Sequence, residues 1–175
     1  MEATAFDGIV AAHHGEIFRY LRRIAFRAAE ADDLSQETFL RAYRAWSGLA
    51  PDANVRAWLF AIATNVFRNH LRSERRRRAA HDTVRATRRE LDAESPEEEA
   101  MAGELRTLTE AAIRRLPPRQ RLAFTLRKLH GLDYELIGQN LDCSAETARA
   151  HVFQALRKIR ITLDGHALPL AESTR

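Results

Sequence analysis

The chain has 175 residues, 45% hydrophobic and 30% charged, with seven glycines and five prolines, a composition typical of a helical globular protein. Its single cysteine, Cys143, excludes an intramolecular disulfide and a cysteine-rich zinc site. The formal net charge of +4 is unevenly distributed: residues 1–80 carry +4, residues 81–105 carry −5 and residues 106–163 carry +6. Two basic blocks on either side of an acidic segment indicate a polyanionic partner.

The sequence lacks the features of a membrane protein and of an enzyme. It contains no run of about 18 apolar residues and no apolar N-terminal segment with a cleavage site, so we expect a cytoplasmic protein without membrane insertion. It also lacks clustered carboxylates, a Ser-His arrangement, a glycine-rich phosphate loop and histidines at metal-binding spacing. We therefore expect no enzymatic activity, no metal site and no cofactor.

The first predicted domain, residues 4–78, has helical periodicity without strand-like alternation. We predict four helices in this domain. The first stretch, from about Phe6 to Arg27, counts as two of them because it could break into two pieces. Another helix runs from about Ala31 to Ser47. A loop over Gly48–Asn54 precedes a long helix from Val55 to about Arg78.

The helix that begins near Ala31 has an outward polar stripe that includes one leucine. The stripe consists of Asp33, Gln36, Glu37 and Leu40. Because phosphates would repel the carboxylates, a leucine among them favours the docking of a protein over contact with DNA. An exposed leucine on a charged helix is also common, so an ordinary solvated face remains the alternative.

The long helix from Val55 carries a polar face opposite a broad apolar arc. This face contains Trp58, Asn65, Arg68, Asn69 and Arg72, and the helix ends in four consecutive arginines. Asparagines can hydrogen-bond base edges, a tryptophan offers a stacking plane, and arginines can bind phosphates. This mixture suits single-stranded or distorted DNA, whereas a surface helix with a half-buried tryptophan is the simpler alternative.

An acidic linker, residues 79–104, separates the two predicted domains. It is poor in large apolar residues, so it has no core of its own. The second domain is expected over residues 105–163, where Pro117 and Pro118 separate two helices that precede a helix-turn-helix. Residues 164–175 are expected to form a tail.

The segment from Leu132 to Arg160 reads as a helix-turn-helix. Asp133 can cap a helix over Tyr134–Leu141, and Ser144 can cap the next helix after a turn in which Cys143 should be buried. One arc of that second helix should face the core: Ala148, Val152, Ala155, Leu156 and Ile159. The candidate DNA-facing residues are Ser144, Thr147, Arg149, Ala150, His151, Phe153, Gln154 and Arg157.

A phenylalanine on this cationic, polar surface is unusual for a purely solvated helix. A helix of this size fits the major groove, where such a surface can contact base edges, thymine methyls and phosphates. The motif alone is also compatible with an ordinary antiparallel helix pair that has a charged outer face.

The chain resembles the extracytoplasmic-function sigma factors of bacterial RNA polymerase, within the sigma-70 family, in three stretches: ADDLSQETFLRAYRAW, VRAWLFAIATNVFRNHLRSERRRR and LPPRQRLAFTLRKLHGLDYELIGQNLDCSAETARAHVFQALRKIR. They cover nearly the whole chain in the family's order. The resemblance implies an all-α fold in which sigma domain 2 and a helix-turn-helix sigma domain 4 are joined by an acidic flexible linker.

The resemblance also implies roles for the first domain. Asp33, Gln36 and Glu37, with Leu40 beside them, match the positions that bind the clamp helices of core RNA polymerase. Asn65 matches the position that reads a base flipped out of the −10 element, in a pocket that the loop before it helps to form. The residues that would lie along the −10 DNA around Asn65 are Trp58, Arg68, Asn69 and Arg72.

For the second domain, the resemblance implies that the helix from Ser144 enters the major groove at the −35 element, while the domain contacts the polymerase flap and the linker runs toward the RNA exit path. Many relatives are held inactive by an anti-sigma factor. The helix departs from the family's usual Gly-Thr-Val start and arginine content at five positions: Glu146, Ala148, Ala150, His151 and Gln154. We therefore expect a −35 sequence that differs from the usual one, with Gln154 suited to adenine.

A stand-alone helix-turn-helix repressor or activator is the alternative function. Such a protein normally has a ligand pocket or a dimerisation helix, and the first predicted domain offers neither. The stripe from Asp33 to Leu40 distinguishes the two interpretations, because a stand-alone regulator has no need of a polymerase-docking surface.

Overall fold

The computed structural model of the protein describes residues 2–25, 27–81 and 100–165, and every regular element in these ranges is helical. The chain divides into two compact units, within residues 1–92 and 93–175. The all-α, two-domain fold class is thereby confirmed. Most of the predicted linker and of the predicted tail lies outside the described residues.

Within residues 2–25 and 27–81, the N-terminal unit contains three α-helices and one short 3-10 helix. They are α1 (Glu2–Ile24), α2 (Ala28–Ala45), the 3-10 helix (Trp46–Gly48) and α3 (Val55–His81). The fourth α-helix that the sequence suggested is absent from the described part of this unit, because α1 continues unbroken to Ile24.

The core of the N-terminal unit forms where α1, α2 and α3 pack on one another. From α1, Ile17, Tyr20, Leu21 and Ile24 are at most 1% exposed and follow helical spacing. Burial of one such aliphatic side chain stabilises the fold by about 1.5–3 kcal/mol. The hydroxyls of Tyr20 and Thr64 lie 2.8 Å apart, so this core also links α1 to α3 through a buried hydrogen bond.

An ion pair connects the start of α3 to α1. The Arg56 Nε–H is shared between the two carboxylate oxygens of Glu16, at 2.9 and 3.2 Å, and Nη2 also donates to Oε1. These hydrogen bonds raise the pKa of Arg56. The same guanidinium lies 5.1 Å from the ring centroid of Phe60. The end of the loop that precedes α3 is therefore attached to the body of the unit.

Within residues 100–165, the C-terminal unit contains four α-helices. They are α4 (Ala100–Arg115), α5 (Pro118–Phe124), α6 (Tyr134–Leu141) and α7 (Ala145–Asp164), and a π-helical turn (Thr125–Leu129) continues α5. Helix α7 packs against α4, α5 and α6. Its buried stripe meets apolar residues of α4, of α5 and of the connection between them in one core cluster: Ala112, Ile113, Leu116, Phe124, Ala155 and Ile159.

The turn between α6 and α7 forms as the sequence predicts. The Asp133 carboxylate accepts a hydrogen bond from the backbone N–H of Leu136 at 2.8 Å, and the Ser144 hydroxyl accepts one from that of Thr147 at 3.1 Å. Both predicted N-caps are confirmed. A Cβ on Gly138 would lie 2.7 Å from the Cys143 carbonyl oxygen, so only glycine lets α6 approach the turn this closely.

Two burial predictions were wrong. Leu156 was assigned to the core of α7 but is 41% exposed, because the alanine-containing stripe that packs inward is narrow and Leu156 lies on its flank. Cys143 is half-buried rather than fully buried, since the turn that contains it stands at the surface of the unit.

Candidate nucleic-acid and polymerase interfaces

The stripe on α2 faces outward as predicted. Asp33 and Gln36 are exposed, Leu40 is 44% exposed, and Glu37 is half-buried. The Glu37 carboxylate accepts a hydrogen bond from Arg41 Nε at 2.6 Å, one helical turn away. An exposed pair of this kind contributes about 0–1 kcal/mol, so a partner can displace Arg41 at little cost. The stripe thus offers carboxylates and a leucine that the core does not use.

An aromatic cluster lies beside the polar face of α3. The ring centroid of Trp58 is 6.4 Å from that of Trp46, while Phe6 lies 6.1 Å from Trp46 and 5.3 Å from Tyr43. Tyr43 is nevertheless 55% exposed. Trp58 is half-buried, as expected if α3 were an ordinary surface helix. It also belongs to a group of aromatic rings that reaches the surface. Tyr43 and Trp46 were not among the predicted site residues, although their spacing of three residues was visible in the sequence.

The polar residues of α3 follow one face of the helix. Asn65, Asn69 and Arg72 are exposed, at intervals of four and three residues, while Arg68 is half-buried on the edge of this face. Arg72 Nη1 donates to Asn69 Oδ1 at 3.2 Å. Since Trp58 precedes Asn65 by seven residues, about two helical turns, all the predicted −10 residues come together along one side of α3.

The first turn of α3 is held by a side chain of the loop before it. Asn54 Oδ1 accepts a hydrogen bond from the backbone N–H of Ala57 at 2.9 Å. At the other end of the helix, Arg77 and Arg78 lie 3.3 and 3.4 Å from Glu74 in exposed ion pairs. The arginine run therefore remains at the surface, where it can extend the cationic side of α3.

The predicted DNA-facing residues of α7 occupy its outer surface. Phe153 is 68% exposed, although the free energy of transfer would favour burial of a side chain of its size. His151 is the half-buried member of the set, on the side toward α5. The others are all exposed: Ser144, Thr147, Arg149, Ala150, Gln154 and Arg157. The prediction of one continuous outward surface is consistent with this placement.

Arg149 is held over an aromatic ring of α6. Its guanidinium carbon lies 5.0 Å from the centroid of Tyr134, and that of Arg127 lies 4.7 Å from the same ring. Arg127 also donates from Nη1 to the Leu132 carbonyl oxygen at 2.9 Å. The guanidinium groups of Arg127 and Arg149 thus both contact the ring of Tyr134. The sequence did not predict a role for Tyr134, because its contact with Arg149 depends on how α6 and α7 cross.

The other flank of α7 contacts α5. Gln120 Nε2 donates a hydrogen bond to Gln154 Oε1 at 2.7 Å. Burial lowers the pKa of His151, and the nearby positive charge of Arg119 lowers it further. Gln120 and Arg119 were also missed, since nothing in their local sequence distinguishes them from other polar residues of a short helix.

Within residues 2–25, 27–81 and 100–165, no group of three or more His, Cys, Asp or Glu side chains is placed to bind a metal ion. Among the described helices, none is both long enough and apolar enough to cross a membrane.

Comparison with known proteins identifies the family of this chain. The model of Sigma-70 region 2 matches residues 9–78, and the model of Sigma-70, region 4 matches residues 106–159. The RNA polymerase sigma-H factor of Pseudomonas aeruginosa is 35% identical over 166 residues, which cover 90% of this chain and 86% of that protein. The ECF RNA polymerase sigma-E factor of Escherichia coli K12 is 30% identical over 176 residues, with 97% of this chain and 90% of the relative covered.

This chain belongs to the extracytoplasmic-function sigma factors.

Solved structures agree with this fold. The sigma factor RpoE of Bartonella quintana, in complex with the anti-sigma factor NepR, has a TM-score of 0.76 and 21% identity, and the match covers 91% of this chain and 97% of that one. CnrH in complex with the cytosolic domain of CnrY has a TM-score of 0.67 and 23% identity, over 93% and 90% of the two chains. Both chains share the arrangement of helices described above.

As a member of this family, the protein is a sigma factor that acts with core RNA polymerase and promoter DNA to direct transcription initiation. The alternative of a stand-alone repressor or activator is set aside. Sigma factors as a class are not enzymes, which is consistent with the expected lack of enzymatic activity.

Proposed function

We propose that three exposed surfaces divide the work of this sigma factor: the α2 stripe binds core RNA polymerase, the polar face of α3 binds the −10 element as it opens, and the outer surface of α7 reads the −35 element. The observation that carries this proposal is that each surface has its own chemistry and lies outside the core. Residues 4–78 and 105–163 would then serve as sigma domains 2 and 4.

The α2 stripe suits a basic and partly apolar partner. Asp33 and Glu37 supply negative charge that steers a cationic protein surface, and Leu40 supplies apolar area beside them. The family resemblance makes the clamp helices of core RNA polymerase the expected partner. DNA is a poor occupant, because its phosphates would meet these carboxylates.

The α3 face suits a strand whose bases have left the duplex. Asn65 offers an amide to a base edge, and Trp58 lies about two turns away with an aromatic neighbour behind it. Extruding a base costs a few kcal/mol, so the receiving pocket benefits from fixed walls. The hydrogen bonds of Asn54 and Arg56 fix the junction between the loop and α3, which supports a pocket that the segment Leu49–Arg56 helps to form.

The α7 surface suits the major groove. Arg149 and Arg157 can contact guanine or phosphate, and the exposed ring of Phe153 can contact a thymine methyl. The Ser144 cap starts the helix at the surface, so its first turn is available to approach the DNA. Binding here would hold the promoter in place while the −10 element opens.

Two further partner contacts belong to this proposal. Domain 4 would also touch the polymerase flap, and the acidic linker would run toward the RNA exit path, where negative charge mimics nucleic acid. An anti-sigma factor would hold the free protein inactive, in line with the complexes of RpoE and CnrH. The site of action would be the cytoplasm, where the polymerase works.

The test is to mix the full chain with bacterial core RNA polymerase and to select promoters from genomic fragments by transcription. Transcripts that require this protein, from promoters that share −10 and −35 sequences, are the expected result. Tight sequence-specific binding to duplex DNA by the protein alone, without binding to the core enzyme, would overturn the proposal.

A further inference from the structure

The amide of Gln154 is tied to a neighbouring helix. Gln154 is exposed on α7, and its Oε1 accepts a hydrogen bond from Gln120 Nε2 at 2.7 Å. Gln120 is half-buried in α5, which packs along α7, so the bond is anchored at the α5 end. The outer surface of α7 thus contains a glutamine whose orientation is set by a residue from outside the helix.

This bond changes what Gln154 can do on DNA. A free glutamine samples many rotamers and loses conformational entropy when it is fixed on a base. The bond to Gln120 removes part of that loss in advance, because it restricts the rotamers of the Gln154 side chain. An amide oxygen has two lone pairs, so Gln154 keeps one acceptor position and both Nε2 hydrogens for a further partner.

One acceptor and one donor on the same amide match adenine. In the major groove, adenine presents the N6 amino group as a donor and N7 as an acceptor, and glutamine pairs with both at once. Guanine presents two acceptors and no donor on this edge, so the remaining acceptor position of Gln154 Oε1 would gain no hydrogen bond from it. The held amide therefore fits adenine better than guanine.

We infer that Gln120 is a specificity-determining residue for the −35 element: it acts through Gln154 as a positioning residue and holds that amide for contact with an adenine. The inference rests on the proposed reading of the −35 element by α7. Gln120 itself touches no base in this arrangement.

The experiment uses holoenzyme reconstituted from bacterial core RNA polymerase and the full chain. Promoters with a randomised −35 region are selected by transcription, with wild type, Gln120→Met, Gln154→Met and the double variant. Methionine keeps the length of the unbranched side chain and removes the amide. Gln139→Met serves as the matched control, because Gln139 is an exposed glutamine of α6 that is not assigned to any contact with DNA.

We expect Gln154→Met to lower the preference for adenine at one base pair by about fivefold to about a hundredfold, the range for a bidentate base contact. Gln120→Met should lower the preference at that same base pair by about twofold to tenfold, as loss of one hydrogen bond would. The double variant should lose as much of the preference for adenine as Gln154→Met does, and Gln139→Met should keep the wild-type base preferences.

Two results would overturn the inference alone. In one, Gln120→Met keeps the adenine preference of the wild type; in the other, it lowers initiation equally on all −35 sequences, as a general folding defect would. If the wild-type holoenzyme shows no base preference anywhere in the −35 region, the proposed reading by α7 fails and the inference fails with it. The wild-type profile therefore separates the two failures.

Discussion

The two surfaces proposed to bind DNA differ in what holds their side chains. On α7, Arg149 lies over Tyr134 from α6, and Gln154 is bonded to Gln120 from α5. On α3, the bond between Arg72 and Asn69 joins two residues of the same helix. Arg149 and Gln154 on the surface for the −35 element are thus held by residues of other helices, whereas Asn69 and Arg72 on α3 are bonded to each other.

This difference suits the two forms of DNA. A duplex presents a fixed pattern of donors and acceptors, so side chains held in advance lose less entropy on binding. A base that leaves the stack arrives along a changing path, and side chains bonded within one helix, such as Asn69 and Arg72, can follow it. Fixed walls would be needed only around the proposed pocket, where the hydrogen bonds of Asn54 and Arg56 would supply them.

The largest effect should come from removing the docking that both surfaces need. We expect Asp33→Lys with Glu37→Lys to abolish detectable holoenzyme formation, because the reversed stripe would repel a basic partner. Pull-down with core RNA polymerase measures this. Asp7→Lys with Asp32→Lys is the charge-matched control, since both residues are exposed outside the stripe. Wild-type affinity of the stripe variant would remove α2 from the interface.

The next largest effect should distinguish the proposed role of α3 in opening the −10 element from the proposed role of α2 in binding the core enzyme. We expect Asn65→Ala to reduce open-complex formation about fivefold to a hundredfold, as loss of a base contact of about 1–3 kcal/mol would, and to leave core binding unchanged. Permanganate footprinting of the −10 region measures the opening. Asn69→Ala should have a smaller effect, because Asn69 is proposed to follow the strand rather than to read a base. Normal opening with Asn65→Ala would contradict the proposed pocket.

On α7, we expect Arg149→Ala to weaken −35 binding by about 1–3 kcal/mol if the guanidinium contacts a base, and by less if it contacts only phosphate. Competition between holoenzyme-bound promoters at constant salt measures the loss. Lys158→Ala is the control, because Lys158 lies nine residues on and half a turn round the helix. An equal loss for both variants would show that general charge, rather than the position of Arg149, matters.

The contact that holds Arg149 is tested at Tyr134. We expect Tyr134→Leu to weaken −35 binding by about 0.5–1 kcal/mol, the value of an exposed cation–π contact, whereas Tyr134→Phe should retain wild-type binding because it keeps the ring. The same competition assay applies. Equal loss in both variants would mean that the hydroxyl matters and that the stacked guanidinium does not.

The smallest effect concerns His151. Because its pKa in the folded protein lies below the ordinary value of about 6.5, the unfolded chain takes up a proton first as the pH falls. The folded C-terminal unit should therefore lose stability below about pH 6.5. His151→Gln should make the unfolding midpoint less dependent on pH in that range. An identical pH dependence in wild type and variant would rule out this contribution.

Much of the fold could be predicted because it depends on local chemistry. The caps at Asp133 and Ser144 and the buried stripe of α7 follow from hydrogen-bonding side chains and helical spacing. The wrong prediction for Leu156 also comes from helical spacing. The spacing gives the side of α7 on which a residue lies, but it does not give how many residues on that side are covered by the neighbouring helices.

The contacts that hold Arg149 and Gln154 could not be predicted, because each joins two helices. Gln120 and Gln154 are 34 residues apart, and Tyr134 meets Arg149 only because α6 and α7 cross where they do. A periodic pattern shows which side of a helix is buried. It does not give the rotation and register of two helices, on which contacts between their exposed edges depend.

The close approach of α6 to the turn at Gly138 has a consequence for how promoter preference can diverge among descendants of this chain. Exposed residues such as Ala150 and Gln154 can be exchanged at a cost in folding stability that is usually within about 0.5 kcal/mol. Any side chain at Gly138 would push against the Cys143 backbone and shift α7 on α6. Changes in promoter preference should therefore arise by exchange of the exposed residues of α7, while Gly138 and the turn between α6 and α7 are retained.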